Sequence, residues 1–301
     1  DARAAELASL QDRLFDRSAA AAAAGAKVIF WSEGNAVIAP AGRQAFLDYY
    51  VSLPDPADEA ALRRYRRGTW RSEAGWVARW IARRRGQGRP VRLLDAGAGF
   101  GTHAMLFAAA GAEVVAADLR ADRLEVAAAR VAACRARLGL PLEVRCTDAD
   151  LTQPWDSAYD LVWVYNAISH IDPAERFLAE AHSHLSPGGA LVIGDINGAQ
   201  RGHVRRLAGL REEEHQEYVA ADGRRSAYAV ERLFPPAELR ALVRANGFRV
   251  AHHELLWGGL GAMPGPVYAL LLHPLQAWWR LGAPIARRQF LVAEPGPAAP
   301  R

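Results

Sequence analysis

The chain is almost without lysine. Lys27 is the single one, although Lys and Arg together number 37 in 301 residues. Basic charge is carried by arginine, a bias of composition, and against 33 acidic residues it leaves a net charge of only +4. A surplus this small does not by itself point to a nucleic-acid partner, and none is expected. Cysteine is scarce too, with Cys134 and Cys146 alone. Neither has metal-ligand spacing around it, so the expectation is two reduced, buried thiols in a cytoplasmic protein rather than a disulfide framework. No signal peptide is legible. A long unbroken apolar run is also missing. The most apolar stretch, 264–286, is interrupted by Pro266, His273, Pro274, Gln276, Arg280 and Pro284, which excludes a transmembrane helix there. His252 and His253 are adjacent on a predicted strand and face opposite ways, so they form no metal pair. No metal constellation appears elsewhere.

What is present is an ordinary globular composition, 51% hydrophobic and 23% charged, organised around one stretch. Val91-Arg-Leu-Leu-Asp-Ala-Gly-Ala-Gly-Phe-Gly101 runs from aliphatic residues into an acid and three alternate glycines. Thr102-His-Ala-Met-Leu-Phe-Ala-Ala-Ala110 then opens an apolar helical run that stops at Gly111. The pattern predicts a buried strand, a glycine turn and a helix start. Glycines let a backbone approach a ligand closely, and the helix N-terminus behind them presents unpaired N–H groups. The stretch reads as a cradle for a nucleotide-type cofactor.

A dinucleotide fingerprint would carry its third glycine at position 102, which is Thr; here the glycine sits at 101. Asp95 is also foreign to that fingerprint. The pattern Asp95-x-Gly97-x-Gly99-x-Gly101 resembles motif I of the class I S-adenosylmethionine (SAM)-dependent methyltransferases. A cationic sulfonium ligand with an ammonium group suits an acid here better than a pyrophosphate would. Further landmarks of that family follow in order. Glu113-Val-Val-Ala-Ala-Asp118 is a second strand closed by an acid, and a helix with Leu124, Ala127, Ala128 and Val131 on one side follows from Asp122 to Leu138. Leu142 to Asp148 is a third strand and Tyr159 to Asn166 a fourth. After them come a helix begun at Asp172-Pro173, a loop Ser186-Pro-Gly-Gly189 and a strand Ala190 to Asp195.

The resemblance covers roughly residues 60–301 and implies a set of roles. Asp95, Gly97, Ala98, Gly99 and Gly101 would cradle SAM, and Asp118 with Leu119 would hold the ribose. Asp148-Ala149 would hold the adenine, with Asp150 a weaker second candidate. Tyr165, Asn166 and Ala167 would flank the sulfonium and its methyl. His170 and His203 are the candidate bases, with His215 and Asp195 behind them. The expected fold is α/β: a doubly wound, mostly parallel seven-stranded Rossmann-like methyltransferase sheet with an antiparallel last strand, plus a small N-terminal appendage. Alternation of strands and helices supports the parallel sheet independently. The last strands are expected at 248–257 and 288–294, with the final one inserted beside strand five.

The flanking pieces read less sharply. Residues 1–55 form the appendage, an alanine-rich helix and a strand. Lys27-Val-Ile-Phe-Trp-Ser-Glu33 resembles the strand that bears the catalytic glutamate in the carbon–nitrogen hydrolase (nitrilase) superfamily. No lysine follows Lys27 and neither cysteine lies in a strand-to-helix elbow, so hydrolysis through Glu33 is not expected. Residues 56–301 are the methyltransferase domain. Its first helix, 70–85, carries Trp76, Val77, Trp80 and Ile81 on one face and arginines on a solvated other face. Segment 197–230 is polar and long enough to be a lid. Segment 258–286 is an apolar insert, a flap on the domain or a contact with a lipophilic substrate or a membrane surface. The expected activity is methyl transfer from SAM to a small, lipophilic or lipid-like acceptor, at oxygen before nitrogen. The alternatives are a non-catalytic SAM-binding protein and a nicotinamide-dependent oxidoreductase.

Overall fold

The computed structural model describes residues 73–138, 141–202, 215–219, 225–229, 232–256, 283–284 and 286–296. All of them lie in the unit Arg67–Arg301, the second of two into which the chain divides. The appendage, with Glu33, and most of the apolar insert lie outside the described residues.

Helix α1 (Gly75–Gly86) leads into β1 (Arg92–Ala96), α2 (Thr102–Ala109), β2 (Glu113–Asp118), α3 (Ala121–Leu138) and β3 (Val144–Asp148). The chain then returns through β4 (Tyr159–Tyr165), a 3₁₀ turn (Ile168–His170), α4 (Ala174–His184) and β5 (Leu185–Ile196). A hairpin of β6 (His215–Val219) and β7 (Arg225–Ala229) follows, then α5 (Pro236–Ala245), β8 (Phe248–Leu256) and β9 (Arg288–Pro295). The main sheet has seven strands in the order β3-β2-β1-β4-β5-β9-β8. Strands β1 to β5 pair in parallel, and β9 runs antiparallel between β5 and β8, as the sequence predicts.

Period-two alternation along the strands builds two cores. Leu94, Val162, Val164, Leu191 and Ile193 face α4 and α5, where Phe177, Leu178, Leu239 and Val243 are buried. Leu93, Leu161, Trp163 and Val192 face the other way, onto Val77 and Ile81 of α1 and Phe107 of α2. Five local expectations need correction. Ala128 is exposed and Val126 buried, because α3 is rolled to turn the arc from Val126 to Arg130 inward. Arg84 is not solvated: its guanidinium lies 4.3 Å over Trp80 and donates to the Gly188 carbonyl. Pro187-Gly188-Gly189 is not a loop before β5 but an irregularity inside it, between the pairings Tyr159↔Leu185 and Leu161↔Ala190. Pro173, not Asp172, occupies the N-cap position of α4. Both cysteines are free, and both are only partly buried.

Strand order reverses between β1 and β4, since the chain passes outward to β3 and then returns to the other side of β1. Open α/β sheets bind their ligands at such a crevice, beyond the carboxyl ends of the strands.

Candidate functional site

The glycine turn after β1 fills that crevice. The Gly97 and Ala98 N–H groups both donate to the Ala117 carbonyl, at 2.8 and 2.9 Å, tying the turn to β2. The three glycines are required for different reasons. A Cβ on Gly97 would stand 2.5 Å from the Ala167 Cβ, so its absence lets the turn pack against the segment after β4. A Cβ on Gly101 would stand 2.8 Å from the Ala127 Cβ and push α3 away. Gly99, at φ +52°, has nothing within 4 Å of that position. It faces open space, as a loop that admits a ligand must.

Asp118 closes β2 beside this turn and is 7% exposed. Its Oδ2 accepts the Gly99 N–H at 2.8 Å and its Oδ1 the Arg120 N–H at 2.9 Å. Each oxygen keeps a lone pair after that, so the carboxylate can accept a pair of hydroxyls as well. Asp148 stands in register with Asp118 at the end of β3, and the Ala149 N–H donates to the Asp118 carbonyl at 3.1 Å. Asp150 is taken up locally, accepting the Thr152 N–H at 2.9 Å and the Thr152 hydroxyl at 2.7 Å. Asp95 is buried within β1, 2% exposed, and its charge helps raise the Cys146 thiol, after burial itself. Leu119 is half-buried just past Asp118.

Across the crevice, Asn166 and Ala167 follow β4. His170 lies on the 3₁₀ turn that follows, half-buried, with its N–H on the Ala167 carbonyl at 2.9 Å. That turn is anchored by Asp195, 2% exposed, whose Oδ2 accepts the Ser169 N–H at 3.1 Å. Burial pushes Asp195 above the usual carboxylate range, against hydrogen bonds from Ile196 and Ser169 and the nearby Arg288 charge. His203 lies outside the described residues; His215 is described only as the first residue of β6.

Three residues escaped the sequence reading. Arg130, 8% exposed, reaches back from α3 to the Phe100 carbonyl at 2.5 Å and the Thr102 hydroxyl at 2.9 Å, bracing the turn. Nothing in the sequence singled it out from Asp122, Arg123, Glu125, Arg135 and Arg137, the other charged residues of α3. Glu73 and Arg288 meet at 3.0 Å near Asn166. They are 215 positions apart, and nothing local marks either one.

The two long excursions are rooted at the same end of the sheet by buried amides. Asn197, 0% exposed, donates to the Ala283 and Ala286 carbonyls at 2.7 and 2.8 Å. Gln289, also 0% exposed, donates to the Phe234 carbonyl at 2.7 Å. The start of segment 197–230 and the return from 258–286 are thereby cross-bonded beside the crevice. No helix among the described residues is long and apolar enough to cross a membrane. Among them, no group of three His, Cys, Asp or Glu residues could hold a metal.

Residues 94–191 match the family model described as a methyltransferase domain. The chain is 26% identical over 207 residues to a ubiquinone biosynthesis O-methyltransferase of Rhodopseudomonas palustris, covering 69% of this chain and 72% of that one. It is 28% identical over 160 residues to the protein of that name from Brucella anthropi, covering 53% and 60%. The magnesium protoporphyrin IX methyltransferase of Synechocystis is a solved structure at 17% identity and TM-score 0.48, covering 83% of this chain and 92% of that one. The matched segment runs from β1 to β5 and contains the glycine turn, Asp118, Asp148 and Asn166. Residues 94–191 therefore carry the methyltransferase-domain match on this sheet. The protein is a SAM-dependent methyltransferase.

Proposed function

We propose that this protein methylates a hydroxyl oxygen on a small, lipophilic acceptor. In this reading Asp95, Gly97, Ala98, Gly99 and Gly101 cradle SAM, and Asp118 with Leu119 holds its ribose. Asp148 and Ala149 hold the adenine, while Asn166 flanks the methyl. The single observation that carries the cofactor assignment is the pairing of open space at Gly99 with the Asp118 carboxylate bonded to that same residue's N–H. A diol-binding acid and a side-chain-free approach to the backbone stand side by side. The third glycine at 101 rather than 102, with Asp95 ahead of the turn, is what separates it from a dinucleotide site.

When bound, SAM supplies a methyl on an activated sulfonium leaving group, so the chain's share is proximity and alignment. A hydroxyl acceptor must also lose its proton, and an amine hardly needs to. His170, on the 3₁₀ turn that Asp195 anchors, is the proposed base, and His203 is the second candidate. Segment 197–230 is proposed as the lid and 258–286 as the surface that receives a lipophilic acceptor or touches a membrane. Residues 1–55 are an appendage outside the methyltransferase domain 56–301. The naming of both relatives as O-methyltransferases supports the choice of oxygen.

The test is an assay with labelled SAM against lipophilic phenols, catechols and anilines, read by mass. Methylated phenol or catechol is expected. Transfer confined to anilines would contradict the reading.

A further inference from the structure

At the ends of β4 and β5 lies a buried ionic cluster that the methyl-transfer reading has not used. Glu73, 1% exposed just before α1, accepts a hydrogen bond from Arg288 Nη2 at 3.0 Å. The same guanidinium lies 4.5 Å over the Tyr165 ring, and its Nη1 donates to Asn166 Oδ1 at 2.5 Å. The cluster closes over β5 at Gly194, where a Cβ would stand 2.6 Å from Glu73 Oε1. Asn166 itself is held in the left-handed region at φ 50°, with its N–H on the Gly194 carbonyl at 2.8 Å. Burial alone would weaken the charge of Arg288, but Glu73, Tyr165 and Asp195 outweigh it and keep the guanidinium charged.

The chemistry of the pair fixes the asparagine. A guanidinium has donors only, so the oxygen of the amide must face Arg288, and the amide cannot flip. What Asn166 can still offer is its two N–H donors. Polarisation by the charged partner strengthens them. An amine acceptor would have to donate its own N–H, and the NH2 end of this side chain cannot receive it. An oxygen that gains negative charge needs donors, and an oxygen here would find them preorganised.

We propose that Asn166 is a dedicated hydrogen-bond donor to the acceptor oxygen, selecting hydroxyls that react as oxyanions, such as phenols, with Arg288 and Glu73 as its positioning residues. The inference rests on the methyl-transfer reading above and adds the group that recognises the reacting atom. In the step, the hydroxyl proton passes to a base and the oxygen lone pair forms the new bond to the methyl carbon. The carbon–sulfur bond breaks with its electrons remaining on sulfur. The N–H groups of Asn166 stabilise the oxygen before and during attack.

Asn166→Asp is the informative variant. It is isosteric, tolerates positive φ and keeps a partner for Arg288, but it replaces the donors with an acceptor. Asn166→Gly removes the side chain and keeps the backbone conformation, so the test does not depend on one substitution folding. Both are measured for S-adenosylhomocysteine affinity by calorimetry, for melting temperature, and for kcat and KM with a catechol and the matching aniline. The expected result is cofactor-product affinity within about 3-fold of wild type, with kcat on the catechol down about 100-fold. In Asn166→Asp the acidic limb of the kcat–pH profile moves up by about one pH unit, because a carboxylate opposes ionisation of the acceptor. Arg288→Lys, which keeps the charge but loses the fork, moves the limb the same way by less. Loss of S-adenosylhomocysteine binding in Asn166→Asp would assign the amide to the cofactor and overturn the inference. An unchanged kcat and pH limb with binding intact would leave the cluster a structural tie, and also overturn it. A wild type that binds S-adenosylhomocysteine yet prefers anilines removes the oxygen assignment alone. One that binds no sulfur ligand removes the methyltransferase reading with it.

Discussion

Asp118 holds two jobs in one carboxylate. It fixes the turn through the Gly99 and Arg120 N–H groups, and in the proposed complex it also accepts the ribose hydroxyls. A charge-assisted bond contributes about 1.5–3 kcal/mol, so Asp118→Ala is expected to weaken SAM binding by about 10-fold or more in calorimetry. Wild-type affinity in that variant would show that the ribose lies elsewhere. The glycines separate by the same logic. Gly97→Ala forces a Cβ to 2.5 Å from the Ala167 Cβ and should cost stability, read as a lower denaturant midpoint. Gly99→Ala meets no neighbour, so beyond about 1–2 kcal/mol of backbone strain its effect should fall on SAM affinity. Equal losses of stability in the two variants would mean that the space at Gly99 is not a ligand's. These residues were legible because the spacing Asp-x-Gly-x-Gly-x-Gly is local. Their separate reasons were not, because Ala127 and Ala167 come from elements distant in sequence.

Among the elements, strands β1, β2, β4 and β5 could be read because each carries a short apolar run ended by an acid, a turn or a glycine, and β3 by its place in the alternation. The roll of α3 could not be, since a helix with alanines on several sides has no sharp apolar stripe; Arg130 lies on the arc that turns inward, bonded to the glycine turn. The start of α2 carries a further consequence. His103 is packed 4.5 Å from the Tyr165 ring and 5.2 Å from the Trp163 ring, centre to centre. Burial, with the Arg288 charge adding to it, pushes its imidazole down to about 3. The folded state therefore binds fewer protons than the unfolded chain between about pH 6.5 and 3, so this histidine's contribution is complete above 6.5 and is lost as pH falls through that window. Glu73 and Asp195, raised by burial, act in the opposite sense, because their ionisation in place is unfavourable and stability from them declines as pH rises. The difference between wild type and His103→Phe isolates the imidazole. Denaturant unfolding should show the wild type losing more stability than the variant between pH 6.5 and 4, with a slope difference of up to about 1.4 kcal/mol per pH unit. Parallel curves would mean that His103 takes up its proton in place.

At the scale of the whole molecule, the sheet brings together what the chain keeps apart. The insertion of β9 between β5 and β8 puts Arg288 beside Asn166 and Gln289 beside Phe234, pairings that depend on strand order rather than on any local pattern. The strand order itself was legible through the resemblance; the ion pair it creates was not. Asn197 and Gln289 root both long excursions at the ligand end of the sheet, which is where a lid and an acceptor surface are needed. A chain lacking residues 1–55 is expected to bind SAM as the full chain does, and loss of binding on truncation would show that the appendage completes the cofactor site.

The most direct measurement is calorimetric titration of the full chain with SAM, S-adenosylhomocysteine and NAD in parallel. Saturable binding of both sulfur ligands at one site per chain, with no heat from NAD, is the predicted result. Binding of NAD, or of neither sulfur ligand, would contradict the assignment of the Gly97 to Gly101 turn and Asp118 to S-adenosylmethionine.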